Sequence, residues 1–386
     1  MRQFRSIAAA AVISLMVSPA PSIAGEARPW LVSLFANYNK WDTGDVDNDG
    51  VQSLVYTQIA YDTQRWGAAV TGTYAGTSYK TTQSEDRFDV KTFTDTAVST
   101  YYSVKHGGLK LRGGVDVSLP TGKSSFSSDE LARVIADDID EDLMLMNSYG
   151  AGLNISPHLA ATYDMKRVTL GAGLKYVFAG AYDPVTDMDG DEFDPGDRLS
   201  LILSVNASAG ASGYLMLTGS YTVFDKDRLG GRDVFRNGDM LSLEGRYIRR
   251  WTQSLRNTIG VIFTSQDKNE AIGDGDVMKS ETGNSNANKI EVFADAAYDL
   301  GGRLTLTGIA GYKTVAANGY SEGDDLHDAG RAVIYIDPGM IAFFRDDVYA
   351  TLKLRYARIE DKKDAFSPEN ARYGVFNLDA GVVFSF

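Results

Sequence analysis

Apolar and polar residues alternate one by one along most of the chain, the period of a strand with one dry face and one wet face. Leu109, Leu111, Val115, Val117 and Leu119 alternate with Lys110, Arg112, Asp116 and Ser118. Ile290, Val292, Ala294, Ala296 and Tyr298 alternate with Lys289, Glu291 and Asp295, and Val348, Ala350, Leu352, Leu354 and Tyr356 with Lys353 and Arg355. The stretches 199–206 and 241–247 repeat the pattern. These segments are joined in rotation by long polar links and short ones. The long links are 42–50, 80–87, 121–146, 179–197, 225–239, 266–287, 314–330 and 360–371. The short ones are 62–65, 105–108, 164–167, 208–213, 249–253, 299–302 and 345–347. Eight long and seven short links join sixteen strands, with fourteen as the alternative count. The pattern predicts an all-β fold: an antiparallel up-and-down transmembrane barrel with apolar side chains turned outward and water inside.

The last residues sharpen that expectation. Phe376, Leu378, Ala380, Val382, Phe384 and Phe386 form one apolar face, with Asn377, Asp379, Gly381 and Ser385 on the other. Asp379, Gly381, Phe384 and the terminal Phe386 resemble the C-terminal signal of Gram-negative outer-membrane β-barrels. That resemblance implies insertion by the barrel-assembly machinery into the cell outer membrane, among its lipids and lipopolysaccharide. Tyr61, Tyr163, Tyr247, Tyr298, Phe344 and Phe386 fall at or near strand ends that lead to a short turn or the C-terminus, where an interfacial girdle belongs. The segment 331–344 is broken by Asp337-Pro338-Gly339. A hairpin there would leave pieces too short to cross, so it is expected to be one bulged strand.

At the other end, Arg2 and Arg5 precede an apolar run at 7–17 and the small residues Ser22-Ile23-Ala24. This reads as a signal peptide over 1–24, leaving 25–386 as the barrel. No later stretch approaches a spanning helix. With no cysteine in 386 residues, disulfides, iron–sulfur clusters and thiol catalysis are excluded. The net charge of −13 speaks against nucleic acid as a partner.

The charge is unevenly divided, since the eight long links carry 37 acidic and 12 basic residues. The third, 121–146, holds Asp129, Glu130, Asp137, Asp138, Asp140, Glu141 and Asp142. Ser127 and Glu130 have capping-box spacing ahead of Leu131, Val134 and Ile135, which predicts one short helix. In position, length and acidity this link is similar to the lumen-folded third loop of sixteen-stranded porins. The resemblance implies a constriction facing a basic wall of Lys110, Arg112, Lys175, Arg246, Arg256, Lys289, Lys313, Lys353 and Arg355. A loop solvated outside the cell is the competing reading.

Other candidate chemistry is thinner. Asp45, Asp47 and Asp49 with Gly50 match the first half of a calcium-binding EF-hand loop, but position 12 is Tyr56 rather than a bidentate Glu. Apart from that incomplete calcium set, no cofactor is expected. Asp325-Leu326-His327 has the Asp-x-His spacing of omptin proteases, with Asp45 and Asp47 as the facing pair; acidic pairs recur in almost every link, and no enzyme is expected. His106 in a short turn, His158 on a lumen face and His327 in a link do not supply a lipid-facing phospholipase site.

Gly114-Val115-Asp116-Val117-Ser118-Leu119-Pro120-Thr121-Gly122-Lys123, then Gly150-Ala151-Gly152-Leu153 and 168–180, resemble the outer-membrane family named for meta-pathway phenol degradation. That resemblance, over about a fifth of the chain, implies transport of small and often aromatic or hydrophobic solutes. The expected function is a passive porin for small solutes. The alternatives are a channel for hydrophobic or aromatic compounds, or a non-conducting barrel serving as adhesin, receptor or partner sleeve. Monomer and homo-oligomer both remain open.

Overall fold

The computed structural model describes residues 28–43, 49–63, 65–81, 84–127, 146, 148–184, 192–273, 275–363 and 370–386. The wall begins with β1 (Trp30–Thr43), β2 (Asp49–Asp62) and β3 (Trp66–Thr81). It continues through β4 (Ser84–Phe93) and β5 (Thr96–His106), laid end to end, to β6 (Leu109–Leu119), β7 (Asn154–Asp164) and β8 (Val168–Val177). After a two-residue β9 (Phe193–Asp194) come β10 (Arg198–Ser208) and β11 (Gly213–Phe224). The short β12 (Lys226–Leu229) and β13 (Arg232–Arg236) precede β14 (Met240–Arg250) and β15 (Leu255–Gln266). The short β16 (Glu270–Ile272) and β17 (Met278–Ser280) precede β18 (Lys289–Asp299) and β19 (Leu304–Val315). Finally come β20 (Arg331–Arg345), β21 (Val348–Asp361) and β22 (Ala371–Ser385).

Counting β4 and β5 as one, sixteen antiparallel strands form the wall, and β1 pairs with both β2 and β22, so the sheet closes on itself. Closure matters because an open edge would leave a row of backbone groups with no partner in lipid. The last seam is tied at its end by Trp30 and Phe386, whose backbones exchange two hydrogen bonds of 3.0 Å. Beside it, Asn37 and Asn377 exchange amide hydrogen bonds of 3.1 Å in both directions.

The register sorts side chains as the alternation requires. Leu34 faces Val382, Val98 faces Val117, Leu159 faces Leu174 and Val261 faces Val292, all on the outside. Leu34, Ile59, Leu159 and Leu203 each expose half or more of their surface, which a water-soluble chain of this kind would instead bury. On β22 and the residue after it the outward face runs from Phe376 to Phe386, eleven residues and ten rises, or about 33 Å along the strand. With a tilt of roughly 40° that is about 25 Å of height, the thickness of an outer-membrane apolar band. At the short-turn end, Trp30 packs on Tyr61 and Tyr61 on Trp66 at 4.9 and 4.6 Å between ring centres. Tyr163, Tyr298, Phe344 and Phe386 lie exposed at the same level. This is an outer-membrane β-barrel.

Three features depart from the sequence expectation. Residues 80–87, expected as a link, are largely strand, because β3 and β4 continue as a hairpin above the wall. Pro338 causes no bulge: the pairing of β20 with β21 keeps one register from Ile336–Tyr356 to Gly339–Lys353, and the shift comes later, between Phe343 and Arg345. Proline is tolerated because its missing donor removes one ladder bond without moving the chain. Finally, three of the expected links build a second sheet of β9, β12, β13, β16 and β17 over the long-link end. Its central hairpin turns on Gly230 and Gly231, both at positive φ (57° and 77°), the conformation a two-residue hairpin turn needs. The short helix expected after Ser127 lies outside the described residues, as do the 1–24 segment and most of the third link.

Candidate functional site

The interior is the candidate site, and its wall is uneven in height. Strands β20, β21, β22, β1, β2 and β3 run 14 to 16 residues, against 10 to 12 for β6 to β19 among the wall strands. On the upper inner face of the tall side sit Trp41, Ala75, Val333, Tyr335, Ala357, Ile359 and Val375, in one cluster with Phe126 from the third link and Tyr149 just after it. Trp41 and Ile359 are 1% and 0% exposed although they point inward. Part of what covers them is the link's described ends.

Those ends are held by specific bonds. The Gln52 side chain, fully buried, donates to the Met146 carbonyl at 2.7 Å and accepts the Met146 N–H at 3.0 Å, pairing like one rung of a sheet. It also donates to Thr77 Oγ1 at 2.9 Å, and the Tyr149 hydroxyl donates to the same Thr77 oxygen. Lower down, the Asp95 carboxylate accepts the Gly122 N–H at 2.9 Å and the Ala151 N–H at 2.8 Å, gripping the link where it leaves and where it returns. The Leu-Pro-Thr-Gly corner acquires a physical role from this. Thr121 Oγ1 accepts the Thr96 N–H at 2.8 Å, and a Cβ on Gly122 would sit 2.0 Å from the Tyr149 carbonyl oxygen, so only glycine fits. The ends of the third link are therefore seated inside the wall. The acidic residues Asp129, Glu130, Asp137, Asp138, Asp140, Glu141 and Asp142 themselves lie outside the described residues.

Below the apolar cluster the wall is polar. All nine basic residues singled out in the sequence occupy inward register positions: Lys110, Arg112, Lys175, Arg246, Arg256, Lys289, Lys313, Lys353 and Arg355. The wall is not uniformly basic, however, because inward acids are interleaved with them. Lys175 Nζ meets Asp116 at 2.8 Å, and His158 Nδ1 lies 3.7 Å from the same oxygen. Arg246 pairs with Glu244, and Lys313 stands directly opposite Glu291. The densest group surrounds Asp337, which is 1% exposed and held by Lys353 at 3.1 Å and Arg355 at 2.8 Å. The Arg355 guanidinium lies 4.6 Å from the Tyr335 ring centre, and the Tyr335 hydroxyl donates to Glu291.

Asp337, Gln52 and Asp95 were missed in the sequence. The signal for Asp337 was present, since an acid in phase with the inward face, across from Arg355 and two positions from Lys353, is a partner rather than a break. Gln52 and Asp95 gave none, because their partners lie far along the chain.

The C-terminal signal residues divide by face. Phe384 and Phe386 point to lipid, while Asp379 lies opposite Asn37 on the inside and Gly381 is packed under the Phe35 ring, where a Cβ would come within 2.1 Å. Of the calcium set only Asp49 is described, at the start of β2. Asp45 and Asp47 fall outside, and no metal-holding group of three His, Asp or Glu occurs among the described residues. His327 is buried with Nδ1 2.8 Å from the Tyr320 carbonyl oxygen, a contact internal to its own link.

No family model matches the chain, and no curated protein does. Solved structures with similar backbones include a bacterial polysaccharide outer-membrane secretin at 11% identity and TM-score 0.48, covering 94% of this chain and 100% of that one. The TodX monoaromatic hydrocarbon channel, a deltaS2 mutant, aligns at 11% identity and TM-score 0.45, over 92% of this chain and 89% of its own. A FadL homologue from Pseudomonas aeruginosa aligns at 9% and 0.43, over 93% and 90%. The assignment to outer-membrane barrels rests on the closed wall and its apolar exterior.

Proposed function

We propose that this barrel is a passive channel carrying small solutes through a water-filled lumen, with no cofactor and no catalytic step. One observation carries the reading: the inward charges on opposite parts of the wall are solvated. The side chains of Lys175, Lys353 and Arg355 are 39%, 41% and 39% exposed although each also holds an ion pair. A packed, non-conducting sleeve would bury such groups among other side chains, at a desolvation cost that ion pairing seldom repays.

The hydrophobic-compound reading draws on the apolar cluster under the third link. Its largest members are covered rather than presented, so their chemistry serves to seat the link. Polar small molecules are the better match to the open part of the wall. Reconstitution in a planar bilayer is the test: discrete conductance steps are expected, followed by faster swelling of barrel-containing liposomes in neutral sugars than in an alkane-saturated control. An electrically silent, correctly folded barrel would favour the sleeve.

A further inference from the structure

At the short-turn end of the lumen two pairs of like charges stand directly across a hairpin from each other. Lys105 is opposite Lys110 on β5 and β6, and Arg250 is opposite Arg256 on β14 and β15. All four are in phase with the inner face, because Val104 and Leu111, next to Lys105 and Lys110, and Tyr247 and Ile259, three residues from Arg250 and Arg256, belong to the exposed apolar exterior. Lys105, Arg250 and Arg256 are exposed and Lys110 is half-buried. Directly opposed like charges destabilise a strand pair. Elsewhere on the wall such crowding is neutralised: Lys353 and Arg355, neighbours on the inner face of one strand, share Asp337. Among the described residues no carboxylate makes an ion pair with Lys105, Lys110, Arg250 or Arg256. Arg112, one layer above on the first arc, is occupied with Ser103 Oγ at 3.1 Å and the Tyr101 ring at 3.9 Å rather than with an acid.

The two pairs lie six strands apart in the sixteen-strand ring, so they face the exit from well-separated arcs. The repulsion within each pair is relieved by whatever anion passes between them, and relief is greatest for an oxyanion that can accept from two donors at once. We propose that this mouth is an anion-binding station, and that the channel therefore favours small solutes bearing carboxylate or phosphate groups. The proposal rests on the channel reading for its transport consequence. The binding consequence stands apart from it.

Two measurements separate these. Under a potassium chloride gradient the reversal potential of the full barrel is expected to show anion preference, stronger at 0.1 M than at 1 M salt because screening shortens from about 10 to about 3 Å. The variant Lys105→Gln/Lys110→Gln/Arg250→Gln/Arg256→Gln is expected to reduce the anion-to-cation permeability ratio at least about two-fold. In parallel, calorimetric titration of the detergent-folded protein with tripolyphosphate, and separately with succinate, should give binding that the variant loses. The pair Lys105→Arg/Lys110→Arg, which keeps the charge, should retain it. A conducting barrel whose selectivity and titrations are unchanged by the four substitutions overturns the proposal. A silent barrel that still binds tripolyphosphate through these residues overturns only the channel reading.

Discussion

Gln52 on the second strand and Met146 at the end of the third link, 94 residues apart, are joined by two hydrogen bonds through one amide side chain. A side chain acting as a length of backbone fixes where the link meets the wall without extending the sheet. Gln52→Ala removes both bonds and leaves the Met146 N–H and C=O without their partner, at a local cost of about 1–3 kcal/mol. Hydrogen exchange at the Met146 amide should then accelerate by roughly ten-fold or more, since about 1.4 kcal/mol is a factor of ten, while strand amides of β10 to β19 stay protected. Unchanged exchange at Met146 would mean the link is held elsewhere.

Asp337 serves two cations. Replacing it with Ala leaves Lys353 and Arg355 adjacent with their shared acid gone, a loss expected to cost about 1–2 kcal/mol of barrel stability, less than for a fully buried pair because both cations keep contact with water. Urea unfolding in lipid vesicles measures it. The charge-preserving Asp337→Glu should lose less, because some ion pairing survives despite the longer stem.

The inside-out arrangement predicts a directional contrast between neighbours. Leu203 points to lipid and Ser204, next along β10, to the lumen. Leu203→Arg near mid-strand is expected to destabilise the folded barrel by about 2–4 kcal/mol. Ser204→Arg should stay within about 1 kcal/mol, since its head group remains in water. Equal losses at the two sites would contradict the facing.

In the outer sheet, burial pushes the Asp227 carboxyl up to about 6, against the opposing pull of the Gly196 N–H and the Arg198 charge. Its folded-state affinity for a proton thus exceeds that of the unfolded chain. The corresponding stability is fully present below pH 3.8, and is lost as the pH rises through about 6. Exchange of the Gly196 amide, which donates to Asp227 at 2.7 Å, should therefore be slower at pH 5 than at pH 7 after correction for intrinsic rates. Asp227→Asn should flatten that dependence.

The wall was legible in the sequence because lipid outside and water inside impose opposite demands on adjacent residues, and alternation records both. The strand count, the outward and inward sets of β6, β18 and β21, and the aromatic rim all come from that one rule. The outer sheet was not legible by the same means. Its strands are two to five residues long, too short for a period to show, and Gly230-Gly231 between Leu229 and Arg232 announced a turn without announcing the sheet. The grip of Asp95 on Gly122 and Ala151, like that of Gln52 on Met146, depends on contacts between distant segments that no local period encodes. The Asp337-Pro338-Gly339 run misled, because a residue read as punctuation is in fact the acid that Lys353 and Arg355 share.

The paired amides of Asn37 and Asn377 lie 340 positions apart along the polypeptide. Neither carries a charge, so the join they make between the earliest and the latest strand is indifferent to acidity and to salt. It also cannot form until β22 has been made. Closure of the ring thus waits on a strand more than 300 positions after the one it joins, and a product truncated before Asn377 would be left with its first strand largely unmatched.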